Sequence, residues 1–383
     1  LNVNDDASLL FSSGVHGDPA TPLLNAYLGD PIVIRALGEA ANESHVIHVQ
    51  GHYFPLERFL TGARPQSSVH VAIAERYDLV IPAAGGPQQM AGDYMYHSGR
   101  LSHFGEGSWG LLRVEDELRD GLQPLPMRSN VPKSASEVCP SEAPVKQFDV
   151  AAIEIPLDFH PGAPAFLEAP SGTNRNLLLG NPDGKIFALA SEVPAIKSGK
   201  LRPHPLTLRA NLGDCIKVTL NNRLAKEKVS FHADMLAYDP HDSMGAPIGR
   251  NKGDQTVAPG GTKTYTFYAH PEFGEATALV NDYAKITGNL RDGLYGAIII
   301  GPRGSKYRDP VSGKDLGFGN SWQADVIVDR TLRQNRNRSD YRDVALYFQE
   351  EDNLIGTPFM PYTSSSAGLS AVNYRIEPLA WRA

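Results

Sequence analysis

The chain carries two copies of one pattern. Gly29-Asp30 opens a run of β-branched residues, and His48 follows that glycine by 19 residues. Gly213-Asp214 opens a second such run, and His232 follows its glycine by the same 19, at an offset of 184. Near the end of each copy, Gly107-Ser108-Trp109-Gly110 runs into Leu111-Leu112-Arg113-Val114, and Gly293-Leu294-Tyr295-Gly296 runs into Ala297-Ile298-Ile299-Ile300, at an offset of 186. Two landmarks at matched spacing indicate one structural unit built twice in tandem.

The unit reads as β. Residues 30–35, 77–81, 214–220 and 263–268 are short runs rich in β-branched and aromatic side chains, bracketed by Gly, Pro or Asn. The 36 glycines and 29 prolines supply the many turns that short strands require. The best helical candidate is local, Val114 to Arg119. Strands alternating with turns, without a βα rhythm, predict an all-β chain of sandwiches.

The repeat sets the expected boundaries. A first module spans 1–118, a linker rich in Pro and Ser spans 119–140, and a second module spans 141–303. A connector, 304–322, leads to residues 323–383, which read as the front half of a third copy. The second module has a long front section, residues 143–212, that the first lacks. The apolar face and strand edge so exposed in the first module are features soluble proteins avoid. Residues Tyr341 to Phe348 are therefore expected to pair with the strand at 30–35 or the strand at 77–81, in the same chain or a neighbour.

Several function classes drop out. Net charge is −7 and no basic stripe runs along the chain, which argues against nucleic-acid binding. No apolar run reaches the roughly 18 residues of a membrane span. Cys139 and Cys215 are the only cysteines and neither lies in a CxxC, which excludes zinc ribbons and thioredoxin chemistry. By themselves they read equally as a disulfide or as two buried thiols. No Gly-x-Ser-x-Gly is present. The Gly-rich runs at 82–87 and 259–261 lack the strand-to-helix setting of a phosphate loop, and Asp239-Pro240-His241-Asp242 reads as a solvated turn.

The histidines cluster in the first module. His45, His48 and His52 lie in one segment, and His97 and His103 in another, a spacing that suits a metal centre. Three residues is an odd step along a strand, so His45 and His48 face opposite sides. They cannot both serve one mononuclear site unless the strand bulges. His70, His160, His204, His241 and His270 are isolated and read as surface residues.

The pattern His45-x-x-His48-x-x-Gly51-His52, followed by Tyr96-His97-x-x-x-x-x-His103-x-x-x-Gly107, resembles the copper-ligand segments of multicopper oxidases. That family is built of cupredoxin domains, so the resemblance implies tandem cupredoxin-like Greek-key β-sandwiches. It extends over residues 229–239, 256–271, 293–298 and 341–349, and is closest to the large many-domain members, the bacterial manganese oxidases and ceruloplasmin-like enzymes. Carried over by position, His45 and His103 match type 1 copper histidines, but Ser98 stands at the cysteine position and Ser108 at the axial methionine position. A blue-copper site needs the thiolate. His48 and His97 match trinuclear-cluster ligands, while Gln50 and Gly99 stand at their partner positions. In the second module the ligand positions read Val229, His232, Asp234, Tyr283, Lys285 and Asn289. At most three of the cluster's imidazoles remain, so neither type 1 nor trinuclear copper is expected.

Copper at a remnant site formed by His45 and His103, with His52, is set against these being packed remnants without metal. Three functions follow from the resemblance. The chain is a copper-poor scaffold segment of an oxidase that oxidises metals or phenols elsewhere in the molecule, a structural protein assembled with other cupredoxin modules or copies of itself by strand donation, or a weak copper carrier. Whether the chain is itself an enzyme stays open. The family is exported, which implies an extracytoplasmic setting and a Cys139–Cys215 disulfide.

Overall fold

The Gly-Asp repeat has a local physical cause. Gly29 and Gly213 both adopt positive φ (79° and 88°), a backbone region open to glycine. The aspartate after each turns back on the chain: Asp30 Oδ2 accepts from Tyr27 N at 3.0 Å, and Asp214 Oδ2 from Asn211 N at 2.8 Å. Each turn ends one strand and starts the next in a different sheet.

The computed structural model describes residues 6–39, 43–128, 130–160, 166–168, 176–178, 180–351 and 369–377. In the first module the main strands are β1 (Leu24–Tyr27), β2 (Ile32–Leu37), β3 (His45–Val49), β4 (Ser68–Val71), β5 (Arg76–Ile81), β6 (Gly92–Ser98) and β7 (Trp109–Glu115). One sheet has the order β1-β7-β6-β3-β4, with β1 parallel to β7, and the other is the antiparallel pair β2-β5.

The second module repeats this plan with more strands. They are β8 (Val145–Glu154), β9 (Lys185–Leu189), β10 (Leu206–Asn211), β11 (Cys215–Asn222), β12 (His232–Ala233), β13 (Ala237–Tyr238), β14 (Thr262–Tyr268), β15 (Thr277–Asn281) and β16 (Tyr295–Gly301). One sheet runs β10-β16-β15-β12 with β10 parallel to β16, mirroring β1 on β7. The other runs β9-β8-β11-β14-β13. Alternation along β11 buries Ile216, Val218 and Leu220 on the inner face. One buried apolar cluster runs through both modules, from Phe11 and Leu111 to Phe231 and Ile298.

A third set follows: β17 (Lys306–Arg308), β18 (Gln323–Ile327) and β19 (Tyr341–Val344) form an antiparallel sheet, and β20 (Phe348–Glu351) pairs with β21 (Leu369–Val372). Within the chain, Tyr341 to Phe348 does not join the first module. β19 pairs with β18, and the segment packs on the second module through Arg209–Asp343 and the contact of Thr207 Oγ1 with Tyr347 OH at 2.9 Å.

Two local expectations are corrected. Val114 to Arg119 is not helical: β7 runs to Glu115, and the acidic stretch after it bends so that Arg119 N reaches Tyr27 OH at 3.0 Å. His70 lies on strand β4 rather than in a loop, although its side chain is exposed, and His204 is half-buried, its Nδ1 2.9 Å from Pro205 O. The Cys139–Cys215 disulfide is present and ties the linker to the start of β11. Among the described residues no helix is long and apolar enough to cross a membrane.

Candidate functional site

The odd step along β3 divides the histidines into two sites. His45 packs against His103 with ring centroids 4.4 Å apart, while His48 meets His97 across the β3–β6 pairing at 5.0 Å. His52 joins neither site: its Nδ1 donates to Gln50 O at 2.7 Å and its Nε2 accepts from Gly85 N at 2.9 Å. Burial pushes its pKa down to about 4, the neutral form that both contacts require.

At the first site, Ser98 Oγ lies 3.3 Å from His103 Nδ1. His103 Nε2 lies 3.4 Å from Glu43, which also pairs with Arg100 at 2.7 Å. Burial first, then the neighbouring His103 and Arg100, lowers the pKa of His45. Ser108 contributes its backbone: its carbonyl accepts from Ser98 N at 3.0 Å and its amide donates to His103 O at 2.9 Å. The positions matched from sequence thus adjoin one another, but with a hydroxyl where a thiolate would be needed.

The second site lies between the modules. Asp234 lies in the turn just past the end of β12, two residues after His232, and the two side chains meet there. His232 Nε2 lies 3.1 Å from Asp234 Oδ1, and its Nδ1 lies 3.0 Å from Ser243 O. From the first module, His48 Nε2 approaches the same Asp234 oxygen at 3.2 Å without forming a hydrogen bond. Burial would raise the Asp234 pKa, but the two imidazoles outweigh it and hold the carboxyl far below the usual range. Beside them, His97 Nδ1 donates to Ser98 O at 2.9 Å, and its buried Nε2 has no hydrogen-bond partner. Burial, reinforced by His48, pushes its pKa down to about 4.

The remaining positions are occupied by other bonding. Gln50 Nε2 donates to Tyr283 OH at 2.6 Å, so these two residues satisfy each other across the module boundary. Lys285 pairs with Glu227, and Asn289 donates to Asp282 at 2.7 Å. Gly99 N donates to Val46 O at 2.7 Å, and Val229 is buried in a backbone bridge to Val257. A cleft of about 610 Å³ leads in to His48 and Asp234, past Arg64, Glu275, Arg338 and Asp343. Among the described residues, no group of three or more His, Cys, Asp or Glu side chains is arranged to hold a metal ion.

Sequence reasoning placed the histidines but missed Asp234 as their common partner. The available signal was its i+2 spacing from His232. The Gln50–Tyr283 bond had no signal in sequence, since its partners lie 233 residues apart.

No protein-family model matches the chain. A stretch of 147 residues is 30% identical to the iron transport multicopper oxidase fetC of Epichloe festucae (strain E2368), covering 38% of this chain and 22% of that protein. The match therefore spans about a fifth of the relative's length. Solved structures align over most of the chain at low likeness. A copper nitrite reductase from Nitrosomonas europaea is 14% identical over 79% of this chain and 89% of its own, with a TM-score of 0.21. A multi-copper oxidase from Pseudomonas Thermotolerans is 17% identical over 74% and 57%, with a TM-score of 0.22. The chain is all-β, built of β-sandwiches in tandem. The sequence relationship supports the multicopper oxidase and cupredoxin family.

Proposed function

We propose that this chain is a copper-poor scaffold within an oxidase-related protein of the large many-domain type, bacterial manganese-oxidase or ceruloplasmin-like, acting outside the cytoplasm. The observation that carries the reading is the donor set. At the type 1 position, His103 lies beside the Ser98 hydroxyl with His45 packed against it, and a serine hydroxyl does not ionise at neutral pH to supply the strong covalent bond of a thiolate. These residues do not fit blue copper.

The trinuclear position does not fit either. His232 has both ring nitrogens engaged, Asp234 sits between His232 and His48, and Gln50 and Tyr283 are bonded to one another. Oxidation of a metal ion or phenol belongs, on this reading, to other modules of the molecule. The roles left to this chain are spacing and rigidity, which the shared core and the Cys139–Cys215 bond serve. Two neutral imidazoles, His45 and His103, would give any copper only a labile seat.

The test is metal analysis of the purified chain after Cu(II) loading and desalting, with absorption read near roughly 600 nm, where blue-copper thiolate sites absorb. The expected result is no intense band and substoichiometric copper. A stable band with one or more bound coppers overturns the reading.

A further inference from the structure

Charge is unevenly distributed along the chain. Its net charge is −7, yet residues 303–342 carry nine Lys and Arg against five Asp and no Glu. The fold brings two parts of that stretch together. Asn335, almost fully buried, donates through Nδ2 to Arg303 O at 2.8 Å and to Asp329 O at 3.0 Å. It thereby clamps the turn at 329–336 against the residues that lead into β17. Lys306 lies opposite Ile327 in the β17–β18 pairing, next to that turn. Alternation along β17 buries Tyr307 and leaves Lys306 and Arg308 exposed on the other face. Arg333 and Arg336 are exposed in the turn itself.

The aspartates of this region are engaged within its own framework. Asp329 accepts from Thr331 Oγ1 at 2.6 Å and Asp309 from Ser312 Oγ at 2.7 Å. Asp340 accepts from Val328 N at 2.8 Å and pairs with Arg330 at 2.8 Å. Asp325, directly opposite Arg308, is held by Arg342 at 2.8 Å. Arg338 is held by Glu275 of the second module. Among the described residues, Lys306, Arg308, Arg333 and Arg336 form no salt bridge and no side-chain hydrogen bond. Four cations without paired counter-charges thus line one strand and the turn packed beside it.

We propose that this surface binds a linear polyanion, an acidic polysaccharide carrying carboxylate or sulfate groups. Three of the four cations are arginines, whose planar guanidinium forms paired hydrogen bonds to either group. Cations set along an exposed strand and turn suit an extended chain that places one anionic group after another. The nearby aromatic rings are not offered for base stacking, since Tyr307 is buried and Phe318 packs against the same small core. That favours a sugar chain over single-stranded nucleic acid. The extracytoplasmic setting proposed above, on which the choice of polysaccharide rests, disfavours nucleic acid of any kind. Copper plays no part in the contact.

Chromatography of the full chain on immobilised heparin at low ionic strength tests it, with the Kd for a heparin oligosaccharide measured on the same samples. A protein of net charge −7 is repelled by a polyanion as a whole, so the expected retention, released by added salt, reports a local surface. Arg333→Ser with Arg336→Ser is expected to weaken the Kd about tenfold. Lys306→Gln with Arg308→Gln removes the cations of the strand and is expected to act likewise. Lys197→Gln with Lys200→Gln takes the same charge from an exposed site elsewhere and is expected to leave the Kd unchanged. An unchanged urea midpoint confirms the fold of each variant. An unretained wild-type chain overturns the proposal, as does a loss of affinity that the Lys197 and Lys200 pair reproduces in full. At equal anionic charge, duplex DNA is expected to compete less well than soluble heparin; equal or better competition overturns the assignment to a polysaccharide. Cellular location does not enter the measurement, so a negative result strikes this surface and leaves the extracytoplasmic reading standing.

Discussion

His48 and His232 lie at the same position in the two copies of the repeat, and both stand against one carboxylate oxygen of Asp234, at 3.2 and 3.1 Å. The contact joins the modules through a buried charge. Both nitrogens of His232 face oxygen atoms, Ser243 O at 3.0 Å and Asp234 Oδ1 at 3.1 Å. A carboxylate with imidazoles on both sides thus occupies the module boundary, where the family resemblance would place metal.

Asp234→Asn should destabilise the chain by about 3 kcal/mol in urea unfolding at pH 7, because it removes the buried carboxylate that both His48 and His232 face. The folded-state pKa of Asp234 lies below its unfolded value, so its contribution is full above about pH 4 and is lost as pH falls further. The gap between wild type and variant should be constant from pH 7 to about 5 and close in stronger acid. An equal gap at all pH values would remove the electrostatic explanation.

His52 and His97 predict a second, higher pH window. Both have pKa values near 4 when folded, against about 6.5 unfolded, so the unfolded chain binds more protons between these values. Stability should be fully present above about pH 6.5 and fall towards pH 4, by up to about 3 kcal/mol for each histidine. His97→Phe, which keeps a ring against Phe104, should flatten that slope; an unchanged slope would show that His97 titrates normally.

Ser98→Cys should convert the first site into a copper binder. The thiolate would join His45 and His103, already 4.4 Å apart by ring centroids. Cu(II) added to this variant should give an absorption band near roughly 600 nm that wild type lacks. Failure of a folded variant to develop the band would mean that the histidine pair is not poised for metal.

The double variant Cys139→Ser with Cys215→Ser should lose about 3 kcal/mol in urea unfolding, since the bond closes a long loop in the unfolded chain. Its copper content should not change. A stability equal to wild type would show that the linker is held by packing alone.

Gln50→Ala should cost about 1–3 kcal/mol by leaving the buried Tyr283 hydroxyl without its partner. Tyr283→Phe in the same background should add little, and a double-mutant cycle reads the coupling directly. Additive losses would separate the two residues.

The elements were legible wherever their cause is local. The paired Gly-Asp turns depend on a positive-φ glycine and a side chain reaching back three residues, and both are visible in a short window. Short runs rich in β-branched and aromatic residues revealed β2, β5, β11 and β14, and the odd step along β3 placed His45 and His48 on opposite sides. Positional likeness located Ser98 beside His103. The misread helix at Val114 to Arg119 failed because its pairing partner, β1, is remote in sequence, and that pairing keeps the segment extended to Glu115. Tertiary structure alone decided that His48 and His232 share Asp234, that Gln50 bonds Tyr283, and that β19 packs on the second module rather than the first. Those contacts join residues far apart in the chain, and their distances depend on how two sandwiches that share one core pack together. A local pattern constrains turns and strand faces, whereas docking is set by the summed packing of both modules, which no short window of sequence contains.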